Sequence, residues 1–295
     1  MNAMNKTKVP VSVFLFIGII AISFSAIFVK WSAAPASVIA MYRLLMTNVL
    51  MLPFLWRYAS ELSAIRLKQW LRIAASGIGL GLHFLFWMDS LNYTTVASST
   101  AILTLEPIFV LAGAFVLYGQ RTNRVAFLAM VIAIVGAICI GWGDFRFSGM
   151  ALKGDYLSLI GTVAVAVHML LGKSIREHVS AFVYSFFVFL FAGGVLAVYN
   201  AAIKVSFTAY PPKEWGVFFL LAIVPTVFGH YVFNWLLKYM KAASISMTVL
   251  GEPLGATLLA YMLLGETITA IQLAAGFLLL IGVGLFLWSN ERKKV

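Results

Sequence analysis

The stretch SSTAILTLEPIFVLAG, residues 98–113, sets a glutamate and a proline side by side within a long apolar run. Glu106 carries charge in water, and Pro107 has no backbone N–H to donate. Neither suits an oily setting. The pair returns as Glu252 and Pro253 in TVLGEPLGATLLA, residues 248–260. A feature this costly, repeated in the same kind of context, points to a shared structural purpose.

The composition names the solvent. Of 295 residues, 62% are hydrophobic and 11% are charged, against about 45–50% and about 25% in ordinary globular chains. Mean hydropathy is +0.99. Most of this chain is built for lipid. The net charge of +11 does not indicate a nucleic-acid partner, because Lys and Arg fall in short clusters between apolar runs. Cys139 is the single cysteine, so neither an internal disulfide nor a thiolate metal cluster is expected. No metal site and no cofactor is read from the sequence.

A membrane-crossing helix takes about 20 apolar residues. By that measure the sequence predicts an all-α polytopic membrane protein with ten transmembrane helices: 11–30, 36–56, 70–91, 96–118, 124–142, 154–173, 180–203, 215–237, 243–263 and 269–289. The first run is too long for a signal-peptide core of about 7–15 residues. With the N-terminus inside, fifteen Lys and Arg lie on the inner side. Five lie outside (Lys30, Arg146, Lys153, Lys204 and Lys213), and Arg43 lies within a span. The positive-inside rule then places both termini in the cytoplasm, at the cell membrane.

The Glu-Pro pairs are 146 residues apart. The same offset lays LYGQRT (117–122) over LLGETI (263–268), Gly136 over Gly282 and Trp142 over Trp288. Shifted by one, HFLFW (83–87) lies over HYVFN (230–234). The chain therefore reads as two repeats, residues 1–145 (helices 1–5) and 146–295 (helices 6–10). Five is odd, so the second repeat starts on the opposite side of the membrane and the repeats are inverted. Inverted repeats belong to secondary transporters, which hold substrate near the midplane where the halves meet.

The motif order also carries a resemblance. A Glu-Pro within a span is followed by about a dozen apolar residues, a Gly-Glu and a glycine-rich final span. It runs through EPLGATLLAYMLLGETITAIQLAAGFLLLIGVGLF (252–286) and again through EPIFVLAGAFVLYGQRTNRVAFLAMVIAIVGAICI (106–140), with Arg43 in MYRLL. This resembles the drug/metabolite transporter superfamily, in particular its EamA-type members, over nearly the whole chain. Gln120 departs from the pattern where the second copy has Glu266. The resemblance implies a central cavity lined by spans 70–91, 96–118, 215–237 and 243–263, and a small metabolite as cargo.

Candidate site residues follow from polar groups at mid-depth. Glu106 lies ten residues into its span and Glu252 nine into its own, about 15 and 13–14 Å by helical rise. Each is a candidate for proton coupling, gating or contact with a substrate amine, set against a buried carboxyl that holds a kinked helix. Arg43 offers a planar fork for a carboxylate or phosphate, or a structural pair with Glu106 or with carbonyls. His83 and Trp87, four residues apart, share a helix face, and His230 and Asn234 repeat the arrangement. His168 has no partner in sequence and reads as packing. Asp89 reads as a solvated cap, and Glu266 as the cap of the last span. Gly77, Gly79 and Gly81 read as close helix packing.

The leading function is a secondary transporter, with export as the favoured direction, for small metabolites such as amino acids. Its partners are a small-molecule substrate, protons as a coupling candidate and the lipid bilayer, with one chain or a homodimer as the working unit. There is no Walker A stretch for direct ATP use. The alternative is an intramembrane hydrolase using His230, Asn234 and the buried glutamates. The HxxxN spacing is similar to that of prenyl endopeptidases, but the Glu-Glu pair they need is missing, as are HExxH and GxSxG. A channel or scaffold suits a five-plus-five repeat less well than alternating access does.

Overall fold

The computed structural model describes residues 10–94, 96–141, 149–265 and 268–291. Within them every element is helical. Nine helical rods among the described residues are long and apolar enough to cross a membrane, and Arg124–Cys139 forms a shorter apolar helix. The order begins with α1 (Val11–Trp31), α2 (Ala36–Met51), α3 (Ala59–Ala64), α4 (Leu67–Ser90), α5 (Val96–Leu103), α6 (Glu106–Tyr118) and α7 (Arg124–Gly141). It continues with α8 (Met150–Ile175), α9 (Ala181–Ala202), α10 (Pro212–Leu221), α11 (Val232–Leu236), α12 (Ala242–Val249), α13 (Glu252–Leu264) and α14 (Ala270–Glu291). A 3-10 segment, Leu52–Tyr58, joins α2 to α3, and a π-helical segment, Ala222–Tyr231, joins α10 to α11. Span 36–56 thus loses regular α-helix after Met51, next to Pro53 in the 3-10 segment.

The repeated prolines interrupt their helices at matching points. Pro107 cannot donate to the Leu103 carbonyl four residues back, nor Pro253 to Val249. Accordingly α5 stops at Leu103 and α12 at Val249, and α6 and α13 restart on Glu106 and Glu252. Both broken rods join an 8-residue helix to a 13-residue one. Both second halves end on a left-handed glycine, Gly119 at φ 62° and Gly265 at φ 71°. That conformation costs a glycine little and stops the helix cleanly.

Helix contacts pair corresponding elements of the two halves. The helix α1 packs on the π-helical segment as α8 packs on α4; α1 meets α13 as α8 meets α6; α2 packs on α9, and α7 on α14. At the α7–α14 crossing, a Cβ added to Gly136 would lie 2.6 Å from Leu279 N and 2.8 Å from Ala275 O. A Cβ added to Gly282 would lie 2.7 Å from Ala133 Cα. Adding 146 to the pair Gly136 and Ala133 gives Gly282 and Leu279, so the two glycines make reciprocal contacts. Gly77 and Gly81 approach the backbone of α9 at Val188 and Ala192, while Gly79 approaches Ala164 O on α8. These are the close helix contacts expected of that glycine run.

The outward surface is apolar. Val116 (78% exposed) and Met262 (73%), again 146 residues apart, project away from the bundle, as side chains do where lipid is the solvent. At the first turn of α10, the buried Glu214 carboxylate fastens the link between α1 and α2, accepting from the Ser32 hydroxyl and from Ala33 N at 3.0 Å.

Gly136→Val and Gly282→Val should each destabilise the protein by about 1–3 kcal/mol, since both drive a side chain into backbone that cannot yield. The two losses should be similar. Thermal unfolding of the purified chain in detergent checks this.

Candidate functional site

Both helix breaks open onto one cavity, with about 680 Å³ of empty volume counting its open side. His83, Trp87, Glu106, His230, Asn234 and Glu252 all line it. These six come from four separated parts of the chain, which the fold brings together. The helices α1 and α8 complete the wall with Ser25 and His168, among others. Arg43 stands just behind the wall, its guanidinium carbon 4.1 Å from the centroid of the Phe84 ring.

The structural partners expected for Arg43 are Glu106 or carbonyls, and hydroxyls take their place. No carboxylate lies within ion-pair distance of it among the described residues. Instead Nε donates to Thr226 Oγ1 at 3.0 Å and Nη1 to Ser25 Oγ at 3.1 Å. The Phe84 face supplies a cation–π contact. Thr226 is available because of Pro225, which withholds an amide from the Leu221 carbonyl; the Thr226 hydroxyl donates to that carbonyl at 2.8 Å. A proline inside span 215–237 thus prepares a hydroxyl oxygen for an arginine nearly two hundred residues away in sequence. Arg43 Nη2 has no partner, although the residue is fully buried.

His83 is held from the opposite side. Its Nδ1 lies 3.0 Å from Gly161 O. The approach needs glycine, because a Cβ at Gly161 would stand 3.2 Å from both His83 O and Trp87 N. One turn on, the Trp87 ring lies parallel to the His83 ring, with centroids 6.0 Å apart and planes at 5°. The Trp87 indole Nε1 is buried with no partner. His230 meets the edge of Phe84 at 5.0 Å between centroids. Asn234 Nδ2 donates to Ser185 Oγ at 3.2 Å.

His168, read from sequence as packing, lines the cavity as well. Its Nδ1 lies 2.9 Å from Ser76 Oγ, which lies 2.7 Å from the Tyr184 hydroxyl. Asp89 accepts from Asn92 Nδ2 at 3.1 Å, a local cap at the end of α4. Glu266 and Trp142 lie outside the described residues.

Glu106 is 5% exposed, and its Oε1 lacks a partner. Buried polar atoms in native proteins are nearly always hydrogen-bonded. Here Arg43 Nη2, Trp87 Nε1 and Glu106 Oε1, two donors and an acceptor, are left unmatched at one place. Sequence reasoning did not single out Ser25, Phe84, Thr226 or Pro225. Pro225, a helix breaker inside an apolar span, was the one signal that pointed there.

An all-helical bundle with apolar outer flanks and a polar cavity at two broken helices defines a polytopic membrane protein with an internal cavity. The chain belongs to the EamA-like transporter family, which matches residues 10–142 and 152–288. It is 26% identical over 204 residues to an uncharacterized transporter of Archaeoglobus fulgidus, covering 68% of this chain and 70% of that protein. It is 24% identical over 200 residues to a probable amino-acid metabolite efflux pump of Salmonella typhimurium, covering 63% and 65%. A crystal structure at 16% identity superposes with a TM-score of 0.79 over 97% of this chain and 99% of the other, which speaks for the fold alone. The family is one of transporters, and the protein is not an enzyme.

Arg43→Met separates support from function. Arg43 is a fully buried charge with no carboxylate within ion-pair distance among the described residues, a costly state that methionine relieves, so the melting temperature should hold or rise. Flux of cargo should fall at least about tenfold, through loss of the unmatched guanidinium donor.

Proposed function

We propose that this chain is a secondary transporter that exports small amphipathic metabolites such as amino acids, by alternating access between two inverted five-helix repeats, residues 1–145 and 146–295. Ten spans follow if Arg124–Cys139, continued to residue 142, crosses with the other nine. The observation that carries the reading is the cavity itself. Both Glu-Pro breaks meet there, Trp87 and Glu106 line it with an unmatched donor and an unmatched carboxylate oxygen, and the unmatched Arg43 donor lies just behind its wall. A zwitterion presents one carboxylate and one ammonium, the complement of that set.

The 146-residue offset supports two equivalent halves, because it relates the helix breaks, the terminating glycines and the reciprocal glycine contacts at α7–α14. Halves of like structure and opposite orientation can exchange conformations, which supplies outward-open and inward-open states from one fold. His83, Trp87, Glu106, Arg43, His230, Asn234 and Glu252 are the proposed substrate-binding or coupling residues. His83 and Trp87 would offer stacked ring faces, Arg43 and Trp87 hydrogen-bond donors, and the glutamates the cationic contact. The Salmonella typhimurium relative's description as a probable amino-acid metabolite efflux pump favours amino acids and export. The charge bias favours a location in the cell membrane with both termini in the cytoplasm. One chain carries both repeats, so a monomer suffices.

The test is efflux from proteoliposomes loaded with a mixture of amino acids, nucleobases and drugs, followed by mass spectrometry with and without a pH gradient. Selective, protein-dependent loss is expected among amino acids. Glu106→Gln should remove the response of that flux to the gradient, and His83→Ala should reduce the flux itself. Full transport in His83→Ala would take that residue out of the site, and a mixture that leaks without selectivity would defeat the transporter reading.

A further inference from the structure

Beside the main cavity lies a smaller recess of about 210 Å³ of empty volume, lined by Thr100, Leu103, Thr104, Glu106, Ser246, Val249, Leu250, Glu252 and Pro253. We propose that this recess, between the two broken helices, is a binding site for one sodium ion. The lining offers oxygen donors and no nitrogen or sulfur side chain. Carboxylates, hydroxyls and carbonyls are the ligands that suit hard cations.

Three observations point to a cation. First, the Ser246 hydroxyl is buried, 1% exposed, and has no hydrogen-bond partner. It lies beside the Glu106 carboxylate, whose Oε1 is also unpartnered. Two neighbouring buried oxygens, neither with a partner of its own, can share an ion between them. Second, the recess is where α5 and α12 end. Their Leu103 and Val249 carbonyls lack an amide donor four residues on, because those positions are Pro107 and Pro253. A helix C-terminus carries partial negative charge that favours cations, and half-helix ends of this kind coordinate ions in membrane carriers. Third, the Thr104 hydroxyl donates to Ala101 O at 2.5 Å, so its lone pairs are left to accept.

Charge balance sets the valence. Glu106 and Glu252 begin α6 and α13, and a helix N-terminus favours the anionic carboxylate. With both carboxylates ionised, one nearby guanidinium, Arg43, leaves one negative charge in the buried centre. One monovalent cation neutralises it. Protons compete for the same carboxylates, so sodium and pH act on one site. As a coupling site the recess rests on the transport reading above; as a binding site it does not.

The test therefore reads binding. The full chain, purified in detergent and free of transport substrate, is melted while sodium chloride replaces choline chloride at fixed ionic strength. The wild type should show a saturable rise in Tm with sodium. Ser246→Ala should move the half-point to at least about tenfold higher sodium, and Glu106→Gln should abolish the rise. Equal melting of the wild type in sodium and choline overturns the proposal, as does a melting point that responds to pH alone. A sodium rise with the same half-point in Ser246→Ala overturns it too, and that titration decides even where Glu106→Gln does not fold. Absence of the sodium effect leaves the transport reading intact, whereas a sodium effect without metabolite flux counts against transport and not against the site.

Discussion

Hydrocarbon offers no water to a backbone N–H or C=O, so each such group in a membrane needs a partner within the protein. Pro107 and Pro253 break that rule in the middle of two spans, and the structure is arranged around the consequence. Each freed carbonyl belongs to a residue, Leu103 or Val249, that lines the internal cavity. The breaks must therefore face inward, and facing inward they turn the glutamates that follow them toward the same interior. A buried polar centre is the outcome of two backbone defects that could be tolerated nowhere else.

The remaining helices are shaped to let those defects meet. Glycines at Gly77, Gly79, Gly81 and Gly161 bring α4 against α8 and α9 with backbone nearly touching backbone, a packing that small residues permit in lipid. The same approach positions His83 against Gly161 O and fixes the stacked Trp87 ring. On the other side, Pro225 interrupts α10 with a π-helical segment and turns Thr226 toward Arg43. Packing and chemistry thus share residues: glycine and proline positions that shape the bundle also aim the polar side chains.

Much of this was legible in the sequence because membranes impose coarse, strong signals. Long apolar runs gave the helices, and the Glu-Pro pairs with their 146-residue offset marked the breaks. Residues His83, Trp87, Glu106, His230, Asn234 and Glu252 stood out as polar or aromatic groups at mid-depth, and the fold gathers them in one cavity. What was not legible depends on crossings between distant helices. Nothing near Arg43 in sequence indicates Ser25, Thr226 or Phe84, since serine, threonine and phenylalanine recur in every span. His168 read as packing because its place on the cavity is set by how α8 crosses α4. The end of α2 at Met51 was also missed, because residues 52–56 stay apolar while the helix changes its winding next to Pro53.

The unmatched atoms bear on dynamics as well as binding. A buried donor or acceptor without a partner costs about 1–3 kcal/mol, and Arg43 Nη2, Trp87 Nε1, Glu106 Oε1 and Ser246 Oγ fall within one region. A centre that carries such a penalty is satisfied more fully with cargo or ions present than without. Ligands that complete these bonds shift the balance of conformations by the difference in how well each state is completed. The two broken helices are the places to bend, because turns at Thr104–Leu105 and Leu250–Gly251 replace regular helix and the bonds from Pro107 to Leu103 and from Pro253 to Val249 are already missing. The defect that makes the polar centre is therefore also the hinge through which its occupancy can be felt by the rest of the bundle.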